Sequence, residues 1–522
     1  MSRKLFTLLL LSAVLAGGVF ASNGTQIGNV GARGTAMGTN FRGLANDWSA
    51  FFHNPAGLAQ LKGLTIGGSL ALITPRGSYQ PYAFPSNPWS GLYTNQRDAK
   101  AQNFYIPSFG VFYNFNESIT VGIGVAAPFG LGAQFDLITV PDGYRGTGDS
   151  PVSLEEEFET QSDHQVVSIQ PTIAFDLGNG FSVGGGFNYM PIGSMSLRQV
   201  KLPEYSKVIA ASGDAATLAA YQGLIGTLKG MHPSGAFPDV YNPAHDRIIV
   251  ETFLDGEGTA YGVNLGIHYK ASEAFSIGAS AQYYTDLKLT GDVIAKTHMP
   301  GGSADYIQTL SQVFAAIPGA QTVDSLQAVF GTAAIFSGET DETTYEAEAS
   351  LPLPLTLGIG VAIKPLSKLT LVADFSWTRW ASWDTIDVFL LVPGTYQEEK
   401  QEMVENWKST LQVGLGAEFN VFGSEDMGLD LRAGFYRVNT PAPYSTISPL
   451  ILDPKNRTII SAGFGFRFAM FELNFCYERV ILGEKDIQPY WYHFDSMGVN
   501  ENWAGIYNLN ANVFTADLSI SL

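Results

Sequence analysis

Phe51-Phe52-His53-Asn54-Pro55-Ala56-Gly57-Leu58 is the stretch around which the chain organises itself. A short glycine-rich segment precedes it, with Gly28, Gly31, Gly34 and Gly38, and before that comes an apolar leader. After it, segments of alternating large and small residues run almost to Leu522. That order reads as an exported β-barrel carrying a small N-terminal plug.

The leader has the three parts of an export signal: Arg3 and Lys4, an apolar core from Leu5 to Leu15, and small residues at Val19-Phe20-Ala21 where a peptidase cuts. Residues 1–21 are therefore assigned to a signal peptide, 22–60 to the plug and 61–522 to the barrel. Formal charge is −19, and cleavage removes two further cations. A nucleic-acid partner, which needs clustered Lys and Arg, is not expected. Beyond the leader there is no unbroken apolar run of about 18 residues, which argues against membrane-spanning helices. With 45% hydrophobic and 15% charged residues the chain has enough apolar surface to leave the disordered class. One cysteine, Cys476, permits neither an internal disulfide nor a cysteine-based metal site, and no cofactor is called for.

Period-2 alternation is the dominant pattern. From Leu355 to Ile363 every odd position is large and apolar; the same holds for Leu411, Val413, Leu415 and Phe419, for Phe471, Leu473, Phe475 and Tyr477, and for Phe514, Leu518 and Leu522. Fourteen strands are placed near 62–74, 104–115, 118–132, 163–177, 181–198, 252–270, 274–292, 345–363, 369–388, 404–421, 427–440, 457–468, 471–482 and 508–522. Connections after the even-numbered strands are tight, whereas those after odd-numbered ones are long, with 199–251 and 293–344 the longest. A soluble sandwich would alternate too, but it gives no reason for short turns on one rim and long loops on the other; an outer-membrane barrel does. Residues 215–225 and 306–314 within the long loops have helical periodicity. Tyr490-Trp491-Tyr492 and Trp377-Thr378-Arg379-Trp380 suit interfacial girdles. The alternating C-terminal strand fits barrel assembly in a bacterial outer membrane, although it ends on Leu522 rather than an aromatic residue.

Four blocks stand out: Gly31-Ala32-Arg33-Gly34-Thr35-Ala36-Met37-Gly38 followed by Asn54-Pro55-Ala56; Gly124-Val125-Ala126-Ala127-Pro128-Phe129-Gly130-Leu131; Asp374-Phe375-Ser376-Trp377-Thr378-Arg379-Trp380-Ala381-Ser382-Trp383; and Leu431-Arg432-Ala433-Gly434-Phe435-Tyr436 with Pro441-Ala442-Pro443 and Asp453-Pro454-Lys455-Asn456-Arg457 behind it. In these the chain resembles the FadL/TodX family of outer-membrane transporters for long-chain fatty acids and other hydrophobic compounds. The resemblance implies a fourteen-strand antiparallel barrel blocked by an N-terminal hatch that contains Phe51, Phe52, Asn54, Pro55 and Ala56. It also implies a hydrophobic groove among the outer loops, a tighter site inside, and a lateral exit at a kink in the third strand, at Pro128, Phe129 and Gly130. Pro128 has no N–H for the ladder, and Gly122, Gly124 and Gly130 carry no bulk there. Partners implied are the hydrophobic ligand, outer-membrane lipids and the barrel-assembly machinery, with the chain acting as a monomer.

Strand parity then sorts the charges. With Phe181, Val183 and Phe187 facing lipid, Arg198 is expected inside; with Leu411 and Val413 facing lipid, Lys408 is too. The resemblance makes these two the candidates for holding a fatty-acid carboxylate. Asp430, Arg432, Arg467 and Glu472 face inward on three consecutive strands and are expected to pair with one another or to anchor the hatch. A lipid hydrolase is the competing reading from another class, and it would need a serine beside a histidine. Of seven histidines only His268 falls clearly within a strand, and its parity sends it inward with Asn264 and Lys270. The glycine-rich segment is no phosphate loop, since no strand precedes it. A general porin, the other alternative, would want an open lumen.

Overall fold

The computed structural model describes residues 24–82, 95–138, 158–201, 249–298, 340–394, 397–423, 427–449, 455–488, 491–495, 498–501 and 503–522, together with parts of 215–223. Residues 1–21, read from sequence as a signal peptide, and 306–314, read as helical, lie outside the described residues.

Fourteen antiparallel staves close into a barrel: β1 (Leu64–Pro81), β2 (Phe104–Asn114), β3 (Ile119–Ile138), β4 (Phe158–Gly178), β5 (Phe181–Lys201) and β6 (Ile249–Ser272). Four staves follow in two pieces each. These are β7 (Phe275–Tyr284, Leu287–His298), β8 (Thr340–Leu351, Thr356–Leu366), β9 (Leu369–Thr378, Thr385–Val392) and β10 (Gln397–Val404, Thr410–Gly423). The last four are β11 (Met427–Val438), β12 (Arg457–Phe468), β13 (Phe471–Ile487) and β14 (Gly505–Ser521). β14 pairs with β1 from Thr65↔Ser521 to Pro81↔Gly505, so the sheet has no open seam there. Each of the fourteen expected strands is found. The segment 389–403, read as a long loop, is instead a hairpin in which Thr385–Val392 pairs with Gln397–Val404 beyond the apolar belt.

The alternation expected from sequence sorts as lipid face and lumen. Leu357, Ile359, Val413, Leu415, Phe464, Phe475, Phe514 and Leu518 are exposed on the outside, as a lipid-facing band requires. A fourteen-strand lumen is too wide for wall side chains alone to fill. It is filled by the hatch, with helices α1 (Ala32–Ala36) and α2 (Ala50–His53) and a 3-10 turn at Pro55–Gln60.

The hatch fits because the wall withdraws its side chains where the hatch touches it. A Cβ on Gly184 would stand 2.5 Å from the Pro55 carbonyl carbon, one on Gly124 2.3 Å from the Phe51 ring, one on Gly278 2.1 Å from the Arg42 carbonyl, and one on Gly434 2.1 Å from the Gly38 nitrogen. Gly67 and Gly416 likewise face Trp48 and Met37. Glycine thus lines the socket on at least six staves, and its abundance in the sequence has this steric use. Gly122 and Gly124 remain paired with both neighbours and do not loosen the third stave; Gly124 makes room for Phe51 of the hatch, and Gly122 for Phe112 of β2.

Asn54-Pro55-Ala56 is the hatch's hinge point with the wall. The Asn54 amide donates to the carbonyls of Arg42 (3.0 Å) and Ile267 (3.1 Å), and its oxygen accepts from Ala56 N (3.3 Å). Pro55 opens the 3-10 turn, where a missing N–H costs nothing. Ala56 then offers its carbonyl to the Ser182 hydroxyl (3.0 Å). Valine at Gly184 forces the turn off the wall at a cost of about 1–3 kcal/mol of overpacking. Gly184→Val is expected to leave a heat-modifiable barrel with raised ion conductance in planar bilayers; conductance equal to the parent's would contradict the socket.

Candidate functional site

Above the hatch, the same staves change character within one or two luminal positions. Gln282 gives way to Tyr284 on β7, Thr356 to Leu353 before the inner half of β8, Thr378 to Trp380 after the inner half of β9, and Thr410 to Trp407 before the inner half of β10. The upper residues belong to one buried apolar cluster that also takes in Ile27, Phe129, Met190, Leu287, Ile386 and Met403. Its aromatic floor is tight: Trp383 and Trp407 lie 4.5 Å apart, Trp380 stands 5.2 Å from Trp407 and 5.4 Å from Trp383, and Phe129 meets Tyr284 edge-on at 5.3 Å. Higher in the cluster, Met195, Leu197, Leu254, Leu289 and Met403 surround a cavity of about 30 Å³.

Strand breaks create this floor, and sequence periodicity gave no warning of them. Between the halves of β9 the chain makes a 3-10 turn at Trp380–Ser382, which swings Trp380 inward. Trp380 is 0% exposed, so its expected place in an outer girdle is corrected. Between the halves of β10, Asn406 adopts φ 51°, and Glu405 and Trp407 turn inward. The Trp407 indole N–H donates to Glu405 Oε2 at 3.0 Å. Ala442 and Ile447, beside the Pro441-Ala442-Pro443 block, complete the cluster.

The third stave is irregular around Pro128. β2 and β3 pair only as far as Phe109↔Val125, although β2 continues to pair with β1 up to Ile73↔Phe104. Against β4, the third stave bulges between Ala126↔Ser168 and Phe129↔Val166. Alternation is lost there: Ala126, Ala127, Pro128, Phe129 and Gly130 are all buried. The edge that β2 leaves is taken by the hatch. Ile27 N donates to the Pro128 carbonyl (2.9 Å), Gly130 N donates to the Thr25 carbonyl (3.0 Å), and Gln26 bridges to Phe129. Thr25, Gln26 and Ile27 carry no sequence mark of this contact.

The ionic group expected near the inner rim assembles and is larger than sequence reading made it. Arg432 reaches Asp430 (3.7 Å) and Glu472 (3.5 Å), and Arg467 reaches Asp430 (3.4 Å). The missed members are Glu418 on β10 and Arg33 on the hatch. Glu418 accepts two bonds from Arg33, at 2.8 and 2.9 Å, and one from Arg432 at 2.7 Å. His268 also faces the hatch, its Nε2 standing 2.9 Å from the Gly43 carbonyl, and Asn264 donates to the carbonyls of Phe51 (2.8 Å) and Phe52 (3.0 Å). Lys270 instead reaches the turn residue Glu273 at 2.6 Å. His164 and His298 also lie within staves, contrary to the single strand histidine expected.

Arg198 and Lys408 do not face the lumen. Register shifts at Met190/Gly193 flip the parity of β5, so Met195 and Leu197 join the luminal cluster while Arg198 projects from the other face. There it meets Glu251 at 3.6 Å and stacks 4.6 Å from the Phe253 ring. Lys408 lies in the break of β10, where parity from Leu411 no longer holds, and it is exposed. Its backbone N–H donates to the Pro441 carbonyl at 2.9 Å.

The family description "Outer membrane protein transport protein (OMPP1/FadL/TodX)" matches residues 12–517. Among curated proteins, the outer membrane protein NMB0088 of Neisseria meningitidis serogroup B is 26% identical over 136 residues, which spans 26% of this chain and only 29% of that protein. The solved structure of a Pseudomonas aeruginosa FadL homologue superimposes with a TM-score of 0.64 at 18% identity, covering 97% of this chain and all of that one. The toluene transporter TodX of Pseudomonas putida gives 0.57 at 13% identity (91% and 94% covered), and TbuX of Ralstonia pickettii 0.56 at 14% (95% and 99%). At these identities the structural likeness speaks for the fold. The family match, covering nearly the whole chain, identifies it as a transport protein and not an enzyme: the chain belongs to the OMPP1/FadL/TodX family of outer membrane proteins that transport hydrophobic compounds.

Proposed function

We propose that the ligand is a long-chain fatty acid or another hydrophobic compound, that it is held in the aromatic cluster above the hatch, and that it leaves sideways through the wall between β2 and β3. The observation that supports this most is the loss of β2–β3 pairing beyond Val125, at the level where Phe129 joins the apolar cluster. A ligand there stands between an apolar interior and the bilayer, with no continuous ladder of hydrogen bonds in its way.

Energetics favour that direction. Each methylene kept from water is worth about 0.8 kcal/mol, so a chain of about 16 gains nothing by crossing a wet pore. The downward route is filled by a hatch held through Asn54, Arg33 and the glycine socket. The sideways route is crossed by two backbone hydrogen bonds from Thr25–Ile27. Each contributes roughly 0.5–1.5 kcal/mol, a barrier that thermal motion passes. A FadL homologue and toluene transporters are among the similar structures, so acyl and monoaromatic ligands both fall within this reading.

Gly130→Val tests the exit. Its Cβ would stand 3.1 Å from the His164 carbonyl oxygen on β4 and 3.4 Å from Ile27 Cδ1, so the added bulk bears on the hatch segment that covers the edge β2 leaves, while the barrel still folds. Uptake of radiolabelled oleate into cells is expected to fall to background while oleate binding by the purified protein persists. Uptake at the parental rate would send the ligand by another path.

A further inference from the structure

On the outside of the barrel, charge is segregated along the upper edge of the apolar belt. Outward positions on β11 run from Leu431 through Phe435 to Arg437, and on β13 from Leu473 through Tyr477 to Arg479. On β1 they run from Leu70 through Leu72 and Thr74 to Arg76, and on β9 from Phe375 through Trp377 to Arg379. Lys408 stands exposed just above Leu411 of β10. Arg76, Arg379 and Arg437 are exposed as well, and Arg479 is half-buried. The short turns lie at the other rim, so this edge of the belt is the outer one.

These five cations span β9 to β14 and β1, and among the described residues none of them is in an ion pair. Between them the outward groups of β12 and β14 are uncharged: Thr458, Asn510 and Asn512. Asn512 Oδ1 accepts from Arg479 Nη1 (2.9 Å) and from the Tyr477 hydroxyl (2.9 Å), which steadies that guanidinium at the edge. The opposite side of the barrel is different. There Tyr189, Tyr261 and Tyr283 top the belt on β5 to β7. Above them Asp255 lies opposite Asp292, which lies opposite Glu346, and Lys288 is bonded to Ser350 (3.1 Å). Long cationic side chains that merely snorkel to water would be spread round the whole circumference. In a chain with 48 acidic and 29 basic residues, an arc of cations with no acid among them reverses the overall balance. Adjacent staves are about 4.8 Å apart, so Arg437, Arg479 and Arg76, on every second stave, are spaced about 10 Å across the sheet. That spacing suits several anionic groups on one broad head group and not a single phosphate.

We propose that this arc binds the phosphorylated disaccharide head group of the outer-leaflet glycolipid, the lipid A part of lipopolysaccharide. The arginines take its phosphates, for which a guanidinium fork is well matched, and the amides and hydroxyls between them meet the sugar. The acyl chains then lie on the apolar face below, along Phe435, Phe475 and Phe514. The barrel thus has a glycolipid-bound side and a free side. The arc stops at β1, one stave short of β2, so the glycolipid stands beside the gap between β2 and β3 and not across it. The site rests on the outer-membrane placement given by the family and is independent of the path a transported ligand takes.

Titration of the full-length protein in detergent, with bound lipid counted by native mass spectrometry, tests the proposal. The probes are diphosphoryl lipid A, the same lipid with both phosphates removed, and phosphatidylglycerol. The parent is expected to bind the diphosphoryl form more tightly than either of the others. Arg76→Gln/Arg437→Gln/Arg479→Gln should weaken the diphosphoryl form about 100-fold, at roughly 5-fold for each cation near an anionic lipid surface, and leave the dephosphorylated form unchanged. Lys270→Gln/Lys364→Gln/Lys368→Gln removes three charges from the opposite rim and should keep parental binding. Heat-modifiability checks that each variant folds, and the single change Arg437→Gln, expected to cost roughly 5-fold, serves if the triple variant does not. Equal affinity of the parent for the two forms of lipid A would overturn the site. So would equal losses in the two triple variants, or phosphatidylglycerol bound as tightly as diphosphoryl lipid A, which would reduce the arc to an unspecific attraction for anions.

Discussion

Everything else in this molecule depends on the steric agreement between the hatch and the wall. A fourteen-strand cylinder encloses more space than its own inward side chains can fill. Here the remainder is filled by a compact N-terminal segment that touches the wall through backbone atoms and large rings. That is possible only because residues such as Gly67, Gly124, Gly184, Gly278 and Gly434 hold no Cβ at the contact. Polar bonds then fix the orientation: Asn54 to Ile267, Ser182 to Ala56, and Arg33 to Glu418. A closed lower half follows, and a ligand entering from above meets the hatch as the bottom of a cup.

The cup is layered. Tryptophans displaced inward by breaks in β9 and β10 make an apolar floor at the level of the kink, and a polar shelf lies directly beneath. The segment Thr25–Ile27 links the two layers, since it closes the kink on one side and meets the polar shelf on the other. Movement of one short strand would act on both.

Much of the barrel was legible because its two solvents impose a strict period. Val413 and Leu415 must face lipid and Gly414 and Gly416 the hatch, and a two-residue repeat records this in sequence. The same period misled where it was extrapolated across a defect. Arg198 was assigned from Phe181 and Phe187, but the bulge at Met190–Gly193 inserts one residue and inverts the parity beyond it. Lys408 failed for the related reason that β10 stops at Val404 and restarts at Thr410. The aromatic floor was hidden because Trp380 and Trp407 lie in those interruptions, where no periodicity applies. Asp430, Arg432, Arg467 and Glu472 were found because their staves are unbroken through the cluster. Arg33 and Glu418 were not, since a contact across 385 residues between hatch and wall leaves no local trace.

The central claim is that the hatch stays in its socket while the ligand leaves through the wall. Arg33→Cys/Glu418→Cys, in a chain whose native thiol is removed by Cys476→Ser, places two thiols across that interface for a short cleavable bifunctional reagent. Uptake of a long-chain fatty acid should then proceed at the same rate with the link intact and with the link cleaved. Uptake that stops on linking and returns on cleavage would mean that the ligand passes downward past a displaced hatch, and would contradict the account.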